Sequence, residues 1–220
     1  MMTHASIRSL FLPGQAGRIE ALLNLGSDTA EYAAVIAHPH PLYGGTMHNK
    51  VVFHAMKALN GFDFPVLRFN FRGTGTSQGE HDYGRGEIDD VRTALEWMEN
   101  EYHLPLVFAG FSFGAAAGLR AACPDNHVEA LISLGTPLNA DGRLYTYALL
   151  GDCSKPKLFL SGDRDEFAPR QKLADVVASA SDPKRFVLVP DADHFFTGHL
   201  DEMRAAIQVW TEDTLHPHSH

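Results

Sequence analysis

Short apolar runs alternate with amphipathic stretches along most of the chain. "IRSLFL" (7–12) and "IEALLNL" (19–25) flank "PGQAG", a turn signal between two strand-like runs, which predicts an N-terminal hairpin. "YAAVIAH" (32–38) is apolar without alternation and runs into proline, the pattern of a strand buried on both faces. Over 48–60 the residues Val51, Val52, Ala55, Met56 and Leu59 recur at helical spacing, and Gly61 follows as a stop. "PVLRFNF" (65–71) predicts a strand. A glycine-rich loop leads from it into a helix near 87–101 with Ile88, Val91, Leu95 and Met98 inward. Further strands are expected at 105–111, 128–135, 155–162 and 184–190, with helices at 113–122 and near 169–180 and 198–214. Strands alternating with helices imply the α/β class: a mostly parallel sheet with helices on both faces, whose ligands gather beyond the carboxyl ends of the strands.

The chemistry-bearing residues fall at such ends. "FAGFSFGAAAG" (108–118) is strand, then Gly110-Phe111-Ser112-Phe113-Gly114, then helix. This is the G-x-S-x-G pattern in its structural context, where a sharp turn pushes the serine hydroxyl out at a helix N-terminus. There the helix dipole favours a developing negative charge. A serine hydroxyl needs a base and the base needs an orienting acid, here expected in the chain order Ser, Asp, His. "SGDRDEFAP" offers Asp163 and Asp165. Asp165 is preferred because it lies further out on the loop, leaving Asp163 to cap the turn. "DADHFF" offers His194 just past the last strand, with His199 as the fallback.

Acyl transfer also needs N–H donors for the carbonyl oxygen. Phe113, next after the serine, supplies one. The loop His38-Pro39-His40-Pro41-Leu42-Tyr43-Gly44-Gly45 should supply the other. Pro39 and Pro41 have no N–H. Position relative to His38 favours His40, and loop length favours Leu42; Tyr43 and Gly44 stay open. No carboxylate or cysteine accompanies His38 and His40 at ligand spacing, so no metal site is expected.

Bulk composition narrows the class without changing this picture. A chain of 220 residues suits one domain, taken as 1–214, followed by a polar tail at 215–220 that contains "HPHSH". The net charge of -9 argues against sequence-independent nucleic-acid binding. Two cysteines, Cys123 and Cys153, form no metal or disulfide framework. The N-terminal stretch does not read as a signal peptide, and no apolar run matches a bilayer, so a cytoplasmic protein without membrane association is expected.

"HPHPLYGGTMHNKVV", "LRFNFRGTGTSQG", "GFSFG", "SGDRDEFAP" and "DADHFF" together resemble the α/β-hydrolase superfamily over nearly the whole chain. The likeness is to small bacterial hydrolases related to dienelactone hydrolases and cocaine-esterase-like enzymes. It implies an eight-stranded, mostly parallel sheet and a triad of Ser112, Asp165 and His194, with Arg72 structural and paired to a carboxylate. It also implies a serine hydrolase acting on small-molecule carboxylic esters through an acyl-enzyme, with no cofactor. A thioesterase, lactonase or aminopeptidase-type activity on the same fold is the alternative, and a non-enzymatic binding protein the remoter one. The segment "TPLNADGRLYTYALLGDCSKP" is too short for a separate cap, since independent folding usually takes roughly 40 residues. Leu144, Tyr145, Tyr147, Leu149 and Leu150 are expected to wall the substrate groove. An exposed edge strand could pair two copies.

Overall fold

The computed structural model describes residues 7–140 and 143–216. Strands β1 (Ile7–Gly14) and β2 (Gly17–Asn24) form the expected hairpin. Then follow β3 (Ala33–Ala37), α1 (Lys50–Asn60), β4 (Val66–Phe69), α2 (Gly86–Tyr102), β5 (Leu106–Phe111), α3 (Phe113–Ala122) and β6 (Val128–Leu134). A short antiparallel pair, β7 (Asn139–Ala140) and β8 (Arg143–Leu144), comes next. The described chain ends with β9 (Lys157–Gly162), α4 (Arg170–Ser179), β10 (Lys184–Val189) and α5 (Leu200–Leu215).

Eight strands form one sheet in the order β1-β2-β4-β3-β5-β6-β9-β10. The β1/β2 and β2/β4 pairs are antiparallel and all others parallel. The two faces sort by the two-residue period of a strand. Along β3, Ala33, Val35 and Ala37 join the core beneath α2, α3 and α4, while Ala34 and Ile36 join the core beneath α1 and α5. That double burial is why β3 reads as continuous apolar sequence rather than as an alternation.

From β3 the chain crosses to β4 on one side and returns to β5 on the other. This reversal opens a crevice beyond the carboxyl ends of β3 and β5, where an open α/β sheet binds ligands. Both the 38–45 loop and Ser112 leave the sheet there.

Two expectations change. The tail assigned to 215–220 begins too early, because Leu215 ends α5 and His216 is docked. The His216 ring stacks on Phe62 at 5.7 Å, and its Nδ1 lies 3.0 Å from Glu31 Oε2. Residues 217–220 lie outside the described residues. The proposed groove wall also divides. Tyr147 and Leu150 are core, and the Tyr147 hydroxyl donates to the Pro137 carbonyl at 2.6 Å. Leu149 packs against the core beneath α3. Leu144 and Tyr145 alone face the depressions near Ser112.

Candidate active site

Ser112 ends β5 and precedes α3 with φ 54° and ψ −120°, a conformation that costs a non-glycine residue about 1–3 kcal/mol. Its neighbours permit the bend. A Cβ on Gly110 would stand 2.6 Å from the Gly114 carbonyl oxygen, and one on Gly114 would stand 2.5 Å from the carbonyl oxygens of Ala37 and His38. Such distances exclude any side chain at either position. The Ser112 amide donates to the Leu134 carbonyl at 2.9 Å and its carbonyl accepts from Ala115 and Ala116, which pins the turn on both sides.

The half-buried hydroxyl of Ser112 lies 2.9 Å from His194 Nε2. His194 Nδ1 lies 2.8 Å from Asp165 Oδ2. The carboxylate accepts from Nδ1, so that nitrogen carries the proton and Nε2 presents its lone pair to the serine. Asp165 is fixed in turn by the Ser161 hydroxyl (3.0 Å) and by the amides of Phe167 (2.9 Å) and Ala168 (3.1 Å). The His194 loop is held by its neighbour Asp193, which accepts from the amides of Phe195 and Thr197 at 3.0 and 2.9 Å. Partial burial works to raise the Asp193 carboxyl, yet these amide bonds outweigh it and hold it below the ordinary carboxylate value.

Rings of Phe111, Phe167 and Phe195 surround the imidazole at 5.0, 4.7 and 5.2 Å between centroids. Gly135, at φ +50°, keeps the remaining side clear: a Cβ there would sit 3.0 Å from His194 Cε1. Asp163 is exposed on the turn, its amide donating to Val189. His199 caps α5 from outside the site, 3.6 Å from Glu202.

The 38–45 loop is anchored from beneath. His38 is fully buried; its Nδ1–H donates to the Pro39 carbonyl at 2.6 Å and its Nε2 accepts from the Phe71 amide at 3.0 Å. Both ring nitrogens are therefore committed to backbone. Burial pulls this imidazole down to a pKa of about 4. Beyond it the turn is internally bonded. The Leu42 amide donates to His40 Nδ1 at 3.3 Å, those of Tyr43 and Gly45 to the His40 carbonyl, and that of Gly44 to the Pro41 carbonyl. The His40 ring packs on Phe113 at 4.7 Å and on His81 at 4.9 Å. His81 Nδ1 in turn lies 2.8 Å from the fully buried Glu87, close in distance but not aligned as a hydrogen bond.

A cavity of about 200 Å³ lies over Ser112 and His194. Tyr43, Asn49, Phe113, Tyr145, Phe167 and Phe195 supply most of its side chains. Of these, Asn49, Phe167 and Phe195 were not read from sequence as site residues. Phe195 alone carried a signal, standing next to His194 in "DADHFF" and half exposed.

This fold and constellation have known counterparts, and residues 30–214 match the α/β-hydrolase domain family. The chain belongs to that family. An α/β serine hydrolase homologue from Coxiella burnetii is 36% identical, with a TM-score of 0.84 over 92% of this chain and 96% of its own. A serine hydrolase without a lid from Xanthomonas campestris is 33% identical, with a TM-score of 0.82 over 96% of each chain. An uncharacterised protein of Rickettsia prowazekii is 32% identical across 96% of this chain and 92% of its own length. The family match and the two serine hydrolase structures support hydrolase activity here. The Xanthomonas campestris protein is described as lacking a lid, and the described residues of this chain likewise contain no separate cap domain. Among the described residues no helix is long and apolar enough to cross a membrane.

Proposed function

We propose that this chain is a serine hydrolase of carboxylic esters, with Ser112 as nucleophile, His194 as general base and acid, and Asp165 as the orienting carboxylate. The reading is carried by the connected pair of contacts, 2.9 Å from serine to imidazole and 2.8 Å from imidazole to carboxylate. His194 Nε2 takes the hydroxyl proton as Oγ bonds to the ester carbonyl carbon. The carbonyl π electrons move to oxygen, and the oxyanion is met by the Phe113 amide, a first-turn N–H with no intrahelical acceptor. The second donor is assigned to the His40 amide. The amides of Leu42, Tyr43 and Gly44 are turned to acceptors within their own loop, which supports that choice. Collapse of the intermediate breaks the bond to the alcohol oxygen, which leaves with the proton from His194. Water, deprotonated by the same imidazole, then attacks the acyl-enzyme and returns Ser112 to its starting state.

The aromatic, open cavity favours small esters with apolar groups near the reacting carbonyl. The test is steady-state hydrolysis of short-chain p-nitrophenyl esters, alongside matched thioesters, lactones and aminoacyl amides. Ser112→Ala is expected to lower kcat for the preferred ester by about 10³-fold or more with the circular dichroism spectrum unchanged. Turnover equal to wild type in that variant would remove the assignment.

A further inference from the structure

The cavity over Ser112 adjoins a second depression at Phe113 and Tyr145. Both side chains line the two, and the second is floored by Ala116 and Ala117 and ends at Arg120. Phe113, Ala116, Ala117 and Arg120 stand at i, i+3, i+4 and i+7, so they form one stripe along α3. Tyr83 with Gly84, and Leu144 with Tyr145, complete the trough from two separate segments. Arg120 follows Ser112 by eight positions, about 12 Å along the axis at the helical rise. The two alanines leave the floor open, whereas longer side chains there would fill it.

Arg120 is the permanently charged side chain among the described residues that line these two depressions. It is exposed, and its guanidinium has no carboxylate partner among the described residues. Seven other arginines, at 8, 72, 85, 92, 164, 185 and 204, each hold one; Arg18, Arg68 and Arg170 do not, but none of these three lines either depression. In a chain of net charge -9 the general field repels anions, so an unpaired cation at the end of a trough marks the local exception. Beyond Arg120 the next depression contains Asp152, which disfavours placing a negative group further out.

The trough also has a direction relative to the chemistry. The leaving oxygen must face His194, which is enclosed by Phe111, Phe167 and Phe195. The trough departs past Phe113, whose ring packs instead on His40, Phe71 and His81. Phe113 lines the trough and His194 does not, which favours the acyl side of the ester over the leaving-group side.

We infer that the α3 trough holds the acyl chain and that Arg120 binds a carboxylate at its far end. The substrate class is then a monoester of a dicarboxylic acid. This rests on Ser112 being the nucleophile. The experiment compares kcat/KM for p-nitrophenyl monoesters of α,ω-dicarboxylic acids, over a series of chain lengths, with neutral acyl esters of matched length. Wild type is expected to prefer the anionic ester by about fivefold at its best chain length, with the preference shrinking as salt is raised. Arg120→Gln should bring the ratio near one, Arg120→Glu should invert it, and Arg120→Lys should keep part of it. Hydrolysis of neutral esters with a wild-type ratio near one, or a ratio unchanged in Arg120→Gln, overturns this inference and leaves the hydrolase reading intact. Failure of both ester classes, without covalent labelling of Ser112, overturns both.

Discussion

His38 is the buried side chain that holds the loop carrying the proposed second oxyanion donor. Its ring joins the Pro39 carbonyl to the Phe71 amide, so His38→Leu leaves that amide buried without its acceptor. The expected loss is about 1–3 kcal/mol at pH 8, read from urea unfolding. Acid should erase the difference. Burial takes the imidazole from an ordinary 6.5 to about 4, so between those values the unfolded chain binds a proton that the folded chain does not. The stability that His38 confers is thus complete above about pH 6.5 and is lost as pH falls toward 4. The whole span is on the order of 3 kcal/mol. The gap between wild type and His38→Leu should therefore narrow across that window. A gap independent of pH would show that His38 is not held neutral.

Between elements, one buried ion pair ties the loop after β4 to α2. Asp90 accepts from the Arg72 amide at 2.9 Å, from Nε at 3.1 Å and from Nη2 at 2.8 Å. Burial alone pushes the Asp90 carboxyl upward, while the bond to Asp90 pushes the Arg72 guanidinium upward. The number and geometry of the bonds decide for the charged pair. Asp90→Asn is expected to cost about 3 kcal/mol, because a buried guanidinium loses its countercharge. An Arg72→Met/Asp90→Leu double variant should recover most of it; a urea midpoint unmoved by Asp90→Asn would contradict this role.

The main elements were legible because their periods are distinct, and the structural role of Arg72 was implied by the family resemblance of its loop. The β7–β8 pair was not, since two-residue strands leave no periodic signal. Tyr147 and Leu150 were misplaced as groove wall because an apolar residue in an irregular segment does not reveal which way it faces. His216 looked like tail because its partners, Phe62 and Glu31, are remote in sequence.

At the scale of the whole molecule, the ends of β5, β9 and β10 must converge before the proposed chemistry is available, since Ser112, Asp165 and His194 follow them. The residue types and chain order were readable, but the 2.9 Å contact across 82 positions is a product of the complete sheet. The aromatic lining was only partly legible for the same reason: Phe195 stands beside His194 in sequence, but Phe167 reaches it from a different strand end. The most direct measurement is therefore mass spectrometric mapping of a fluorophosphonate probe on the folded full-length chain. One adduct is expected, on Ser112, absent from urea-unfolded protein and strongly slowed in His194→Ala. No adduct, an adduct on another residue, or labelling indifferent to unfolding would contradict the account.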